Sequence, residues 1–385
     1  MSWAHGHHSH QPRESLLDID RNPAAEHACS KAGSAHVAPM DWETFREQVS
    51  ASLADYFAAQ RLRAGAYSPA FVELWDHIAV SATGGKWMRP KLIYLTYQGF
   101  GGQDWRACSE LAAAYEMLHA ALLVHDDVID RDFVRRGSAT LGAVYRDAAS
   151  EQGHGADVAD HAGYSAAIIA GDLLLTGSLR LAGSATTGHA QSGLILATVH
   201  EAIFASAAGE LDDLLFSLGR ASPGMGDVLN MERLKTAVYS FEMPLRAGAL
   251  LAGVGSESAD ALAAVGRDIG VAYQVVDDVL GTFGLESVTG KSVESDLREG
   301  KRTILTTFAQ DSGEFADALA AFRDGHNQVE DVRDVLHGLG AQDYALNLAQ
   351  SLVSDALGKA RNLELPEYLF LELAEICDYV LARRN

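Results

Sequence analysis

Five aspartates in two clusters carry the chemistry that this chain can do. Asp126, Asp127 and Asp130 lie in LLVHDDVIDRDFVRRG, and Asp277 and Asp278 in GVAYQVVDDVLG, each cluster placed on an apolar helix-like run. A helix brings residues four apart onto one face, so Asp126 and Asp130 project together, with Asp127 about 100° round the axis. Like charges placed in this way repel unless a cation lies between them. An all-oxygen set with room for water suits Mg²⁺ carried in on a phosphate, and the pair then reads as a diphosphate clamp. DDVID by itself reads equally well as a solvated acidic helix face. The second cluster, about 150 residues on, repeats the device behind Val271, Tyr273, Val275 and Val276, and that repetition favours the clamp.

Basic residues gather around these clusters. Gly84-Gly85-Lys86-Trp87-Met88-Arg89-Pro90 sets Lys86 and Arg89 three apart behind two glycines; Arg135 and Arg136 follow the first aspartates, and Lys235-Thr236, Lys291, Lys301 and Arg302 come later. The chain has a formal net charge of −22, with 30 Lys and Arg against 52 Asp and Glu, so these are local exceptions. Singly each would be a surface residue. Beside Mg²⁺-binding carboxylates they suggest bound phosphates, Arg as a bidentate fork and Lys as a point charge, and together they outline a site for two diphosphates.

From about Phe45 to the C-terminus the chain resembles the trans (head-to-tail) isoprenyl diphosphate synthases, in particular geranylgeranyl diphosphate synthase-like members of actinobacterial type. The motifs stand in family order: GGKWMRP, EMLHAALLVHDDVIDRDFVRRG, AAIIAGDLLL, GELDD, KTAVYSF, GVAYQVVDDVLG and TGKSVESDLREGKRT. The resemblance implies that Lys86, Arg89, His119 and Arg136 grip the diphosphate of isopentenyl diphosphate. His119 precedes Asp126 by two helical turns, which puts both on one face. It implies that Asp126 and Asp130 hold the Mg²⁺ of an allylic diphosphate from one wall and Asp277 from the other, with Asp127 and Asp278 as outer or partial ligands. Arg135, Lys235 and Lys291 would hold the allylic diphosphate oxygens, and Thr236 and Gln274 would lie beside the reacting carbons. Three Mg²⁺ ions per site and a homodimer are implied as well.

One position departs from the family. Its second motif usually reads DDxxD, but Gly281 stands here at the fifth place, followed by Phe283-Gly284. The change reads as subfamily drift and leaves the outer metal contacts on that wall in question. The implied reaction ionises an allylic C–O bond, so the site must stabilise negative charge growing on diphosphate oxygen. No protein nucleophile is needed, and the chain shows no Ser-His-Asp or Cys-His signature.

Product length is expected to depend on the residues N-terminal to Asp126, with Ala121, Leu118 and Tyr115 as the floor of the chain tunnel. In the family, a bulky aromatic at the fourth or fifth position before the first aspartate stops elongation near the farnesyl length; here Leu122 and Ala121 occupy those positions. At ~1.5 Å of rise per residue, Ala121 to Tyr115 adds about 9 Å, room for one or two further isoprene units. Geranylgeranyl diphosphate is the expected product, with a longer chain if Tyr115 turns away.

The elements that must position these groups are helices. Ala- and Leu-rich stretches with apolar residues at helical spacing, over Leu111–Val124, Ala166–Leu181 and Leu194–Leu215, predict an all-α fold, a single large helical bundle around a central cavity. Short Gly, Asp, Ser or Pro connectors such as 99–102 and 221–224 separate the helices, and strand-like alternation is absent. Length alone would allow two or three domains, but no composition break divides residues 41–385. Residues 1–40 are polar and His-rich and read as a disordered tail.

No signal peptide and no run of about 18 apolar residues is present, so a cytoplasmic protein without a transmembrane segment is expected. Cys29, Cys108 and Cys377 are scattered thiols that fit a reducing compartment. The acidic balance argues against nucleic acid as a partner. Two other classes share parts of this pattern. A class I terpene cyclase has the clamp but no use for the GKxxRP, His119 and second-arginine set, and a non-catalytic partner subunit would have lost aspartates that this chain keeps.

Overall fold

Capping chemistry sets where the first helices begin. Asp41, Ser68 and Asp104 each turn a side-chain oxygen onto a free amide of the following first turn. Helices α1 (Trp42–Ala64), α2 (Pro69–Ser81) and α4 (Trp105–Ile129) start directly after them, and α3 (Met88–Gly99) lies between α2 and α4. The computed structural model describes residues 40–82, 84–135, 137–220, 222–284, 297–298 and 300–383. The expected tail at 1–40 therefore lies outside the described residues except at Met40, and so do Arg136 and Lys291.

The three long apolar stretches form α4, α6 (Ala156–Ala185) and α7 (Ser192–Ser217), each reaching beyond its periodic core at both ends. Helix α5 (Leu141–Glu151) precedes α6. The later helices are α8 (Met225–Glu232), α9 (Met243–Leu251), α10 (Ser256–Phe283), α11 (Ile304–Ala309), α12 (Gly313–Arg323), α13 (Val329–Gly338), α14 (Ala341–Asn362) and α15 (Glu367–Ala382). The fold is all-α. Helix α4 packs along α6 and against α1 and α3, while α10 packs against α14. Gly281 lies inside α10, so the motif departure does not break the helix that bears Asp277 and Asp278.

Three features differ from the sequence expectations. A two-stranded antiparallel hairpin, β1 (Val134–Arg135) and β2 (Ser138–Ala139), follows the first aspartates, turning at Gly137 with φ +73°. Two residues per strand are too few to show alternation. Helices α4, α6 and α7 are long and apolar enough to cross a membrane by length and composition. A strict count of uninterrupted apolar residues misses them, since each tolerates an occasional charge. In this fold 72% of the apolar window in α4 is buried inside the protein, against 39% in α7.

The third difference bears on the site. Residues Arg233–Glu242 form a π-helix between α8 and α9. Such wide turns are rarely longer than one turn and concentrate at functional sites. Arg233 and Glu242 close this one end to end through a bidentate pair, 2.8 and 3.1 Å. Two neighbouring helices press on it with bare backbone. A Cβ at Gly209 of α7 would lie 2.3 Å from the Lys235 amide nitrogen, and one at Gly270 of α10 would lie 2.6 Å from the Ala237 Cβ. Glycine at both contacts lets α7 and α10 clasp the π-helix between them.

Candidate active site

The last turn of α4 and the hairpin build the first wall. Arg135 on β1 forks across two aspartates, its Nε donating to Asp127 Oδ1 at 2.5 Å and its Nη2 to Asp126 Oδ2 at 2.6 Å. From the π-helix, Lys235 Nζ reaches Asp213 at 2.7 Å, Glu210 at 3.0 Å and Asp126 at 3.3 Å. Lys301 Nζ donates to Asp130 Oδ2 at 2.6 Å. Of the cations that sequence reading set near the aspartates, Arg135 and Lys235 thus lie directly on them, and Lys301 joins the site although it had no assigned role. Burial works against the charge of Lys235, but Asp126, Asp213 and Glu210 outweigh it and hold the ammonium well above its ordinary range. Burial pushes Asp127 up to about 6, against the opposing pull of Arg135.

Glu210 and Asp213 come from α7, one helical turn apart, in the GELDD motif that carried no residue assignment. Carboxylate oxygens of Asp126, Asp130 and Glu210 all lie within 4.8 Å of one another, close enough to share a cation. The donor set is hard oxygen throughout, as Mg²⁺ prefers.

The second wall is α10. Asp277 pairs closely with Arg383, whose guanidinium lies 4.1 Å over the Tyr273 ring. Arg383 follows α15 near the chain end, and no local motif marks it. Asp278 accepts from Gln274 Nε2 at 2.9 Å, so the amide expected beside the reacting carbons is turned here to its i+4 neighbour. Buried Glu232 of α8 stands beside Asp278. Burial first and then the Asp278 charge push its pKa well above the carboxylate range.

Arg89 and His119 meet at a later stretch of the π-helix. Arg89 Nη2 donates to Ser240 Oγ at 2.8 Å, and its guanidinium lies 4.6 Å over the Tyr239 ring. His119 stacks on that same ring at 5.9 Å between centroids, with 3.3 Å between Tyr239 Oη and His119 Nδ1. Lys86 is exposed, its Nζ 5.8 Å from the Tyr379 ring of α15. The structure thus brings Arg89 and His119 together through Tyr239, a residue that sequence reasoning passed over inside KTAVYSF. Thr236 is half-buried on the π-helix next to Lys235. Ala121, Leu118 and Tyr115 are all fully buried, and the Tyr115 hydroxyl donates to Thr198 of α7 at 2.7 Å.

The polyprenyl synthetase model matches residues 71–339 of the chain. The chain belongs to the polyprenyl synthetase family. Among its relatives, the geranylfarnesyl diphosphate synthase of Aeropyrum pernix is 33% identical over 310 residues, covering 78% of this chain and 91% of that one. The geranylgeranyl diphosphate synthase of Sulfolobus acidocaldarius is 35% identical over 239 residues, 62% of this chain and 66% of that one. The solved structure of a geranylgeranyl pyrophosphate synthase from Corynebacterium glutamicum, complexed with isoprenyl diphosphate and magnesium, superposes with a TM-score of 0.81 at 25% identity. That match covers 90% of this chain and all of that one. The polyprenyl synthetase motifs quoted from GGKWMRP to GVAYQVVDDVLG fall inside the matched span.

Proposed function

We propose that this polyprenyl synthetase condenses isopentenyl diphosphate with an allylic diphosphate and makes chiefly geranylgeranyl diphosphate. One observation carries the reading. The single π-helix turns Lys235 to the aspartates of α4 and, within five residues, Tyr239 and Ser240 to Arg89 and His119. Two anion sites therefore share one rigid element, which a condensation needs and a cyclase acting on one diphosphate does not.

In this reading Arg135, Lys235 and Lys301 receive the allylic diphosphate, exchanging carboxylate partners for diphosphate oxygens, with Lys291 added from outside the described residues. Asp126, Asp130, Glu210, Asp277 and, at the margin, Asp127 and Asp278 would hold Mg²⁺, three ions per site, and the metal supplies Lewis acidity and a template when bound. As the allylic C–O bond breaks, the ammonium and guanidinium groups take up the charge developing on the leaving diphosphate. Lys86, Arg89, His119 and Arg136 hold isopentenyl diphosphate so that its terminal alkene faces the allylic carbon, and the proton lost after the new C–C bond forms goes to the departing diphosphate. Apolar α4 side chains below the aspartates keep water from the cation.

The outer faces of α6 and α7 leave Ile168, Ile169, Phe204 and Leu211 exposed, Phe204 to 68%. An apolar face of this kind supports a homodimer formed through α6 and α7. The free thiols Cys108 and Cys377 support a cytoplasmic setting.

Two measurements test the assignment. Arg89→Ala should raise KM for isopentenyl diphosphate by one to two decades and KM for the allylic primer by much less, since a charge-assisted contact is worth roughly 1.5–3 kcal/mol. Equal rises for both substrates would show the two pockets to be misassigned. For chain length, Ala121→Phe should shorten the product and Tyr115→Ala should lengthen it, read by chromatography of the dephosphorylated products. Unchanged lengths in both variants would move the tunnel floor to another helix.

A further inference from the structure

Glu116 lies on α4 three residues before His119, on the face that leads to Asp126, and no step above uses it. Its residue is only 5% exposed, and its Oε2 meets no donor. A buried carboxylate without a donor is costly and asks for a reason. On α3, Arg89 Nε is likewise buried without an acceptor. The other Glu116 oxygen faces the glycine turn ahead of α3. A Cβ at Gly85 would lie 3.8 Å from Glu116 Oε1. That turn holds three left-handed residues in four, Gly84 at φ +107°, Gly85 at +98° and Trp87 at +55°. Trp87 pays a steric cost there that glycine avoids, so the turn needs outside support.

We propose that Glu116 is a positioning residue of the isopentenyl diphosphate site, its carboxylate bearing on the Gly84–Gly85 turn and drawing Arg89 to the angle at which its fork meets the diphosphate. The inference rests on the reading that Lys86 and Arg89 grip that substrate. Burial raises the Glu116 pKa, and the nearby Arg89 charge opposes it, which marks the two as electrostatic neighbours. Arg89 is held in turn by Ser240 and Tyr239 of the π-helix. Glu116 thus adds a negative charge near a guanidinium that Ser240 and Tyr239 already hold, and His119 stands on the same helix one turn nearer the aspartates.

Glu116→Gln keeps the volume and removes the charge. In this variant KM for isopentenyl diphosphate, and its calorimetric Kd in the absence of primer, should both rise about tenfold. The primer KM and kcat should stay within about twofold, and the melting temperature should not fall. Glu116→Ala should give the same split with a larger rise. A Glu116→Gln enzyme with unchanged KM and Kd for isopentenyl diphosphate overturns the proposal, and so does an equal rise for both substrates, which a packing role would produce. Arg89→Ala is measured alongside. If it leaves KM for isopentenyl diphosphate unchanged, the grip itself is wrong; if it raises that KM while Glu116→Gln does not, only the role of Glu116 falls.

Discussion

Replacing Asp126 by Ala should lower kcat by three or more orders of magnitude while helix content and melting temperature stay close to those of the parent. Asp126 is the carboxylate on which Arg135 and Lys235 converge, and it belongs to the oxygen cluster with Asp130 and Glu210. On the proposed mechanism its removal takes away a ligand for the metal that would stabilise the leaving diphosphate, roughly 4 kcal/mol of barrier for a thousandfold loss. Stability is little affected, because Lys235 keeps Asp213 and Glu210 and Arg135 keeps Asp127. Turnover within tenfold of the parent at saturating Mg²⁺ would rule out the clamp.

Lys235→Met should strike both activity and stability. The ammonium sits among Asp126, Glu210 and Asp213, and without it three carboxylates face one another with little water. Leaving buried charge without its partner costs about 3–5 kcal/mol, so the melting temperature at pH 7.5 should fall by several degrees. The sign with pH follows from linkage. Burial, with the Asp126 and Asp213 charges behind it, already holds the Glu210 pKa above its ordinary value against the pull of Lys235; in the variant that pull is gone, the folded protein binds the extra proton, and the loss shrinks as pH falls towards 5. Excess Mg²⁺ should restore part of the melting temperature by taking the place of the ammonium. Turnover should drop by about two to three decades, the usual consequence of removing one preorganised charge aimed at a leaving group. A melting temperature that is unchanged at pH 7.5, or that falls further at pH 5, would contradict this account of Lys235.

Much of the site could be read from residues alone because its parts are local. Asp126 and Asp130 are four apart on one helix, and so are Gln274 and Asp278, so helical geometry by itself sets their neighbours. The basic residues were recognisable as exceptions in an acidic chain. Pairings between distant residues left no such trace. Arg383 meets Asp277 across 106 positions and Lys301 meets Asp130 across 171, and nothing in the sequence around either one marks the pairing.

Periodicity and charge spacing are properties of a single element, so the residues alone could reach the all-α fold, the course of the long helices and a set of carboxylates and cations to propose for the site. Tertiary structure alone decided which cation meets which carboxylate and where the π-helix lies. A π-turn has no strong residue preference of its own; it forms here where Gly209 and Gly270 let two helices close on it and where Arg233 and Glu242 join its ends. That clasp turns Lys235 to Asp126 on one side of the proposed site and Tyr239 and Ser240 to Arg89 on the other, and only packing between α7 and α10 could set it.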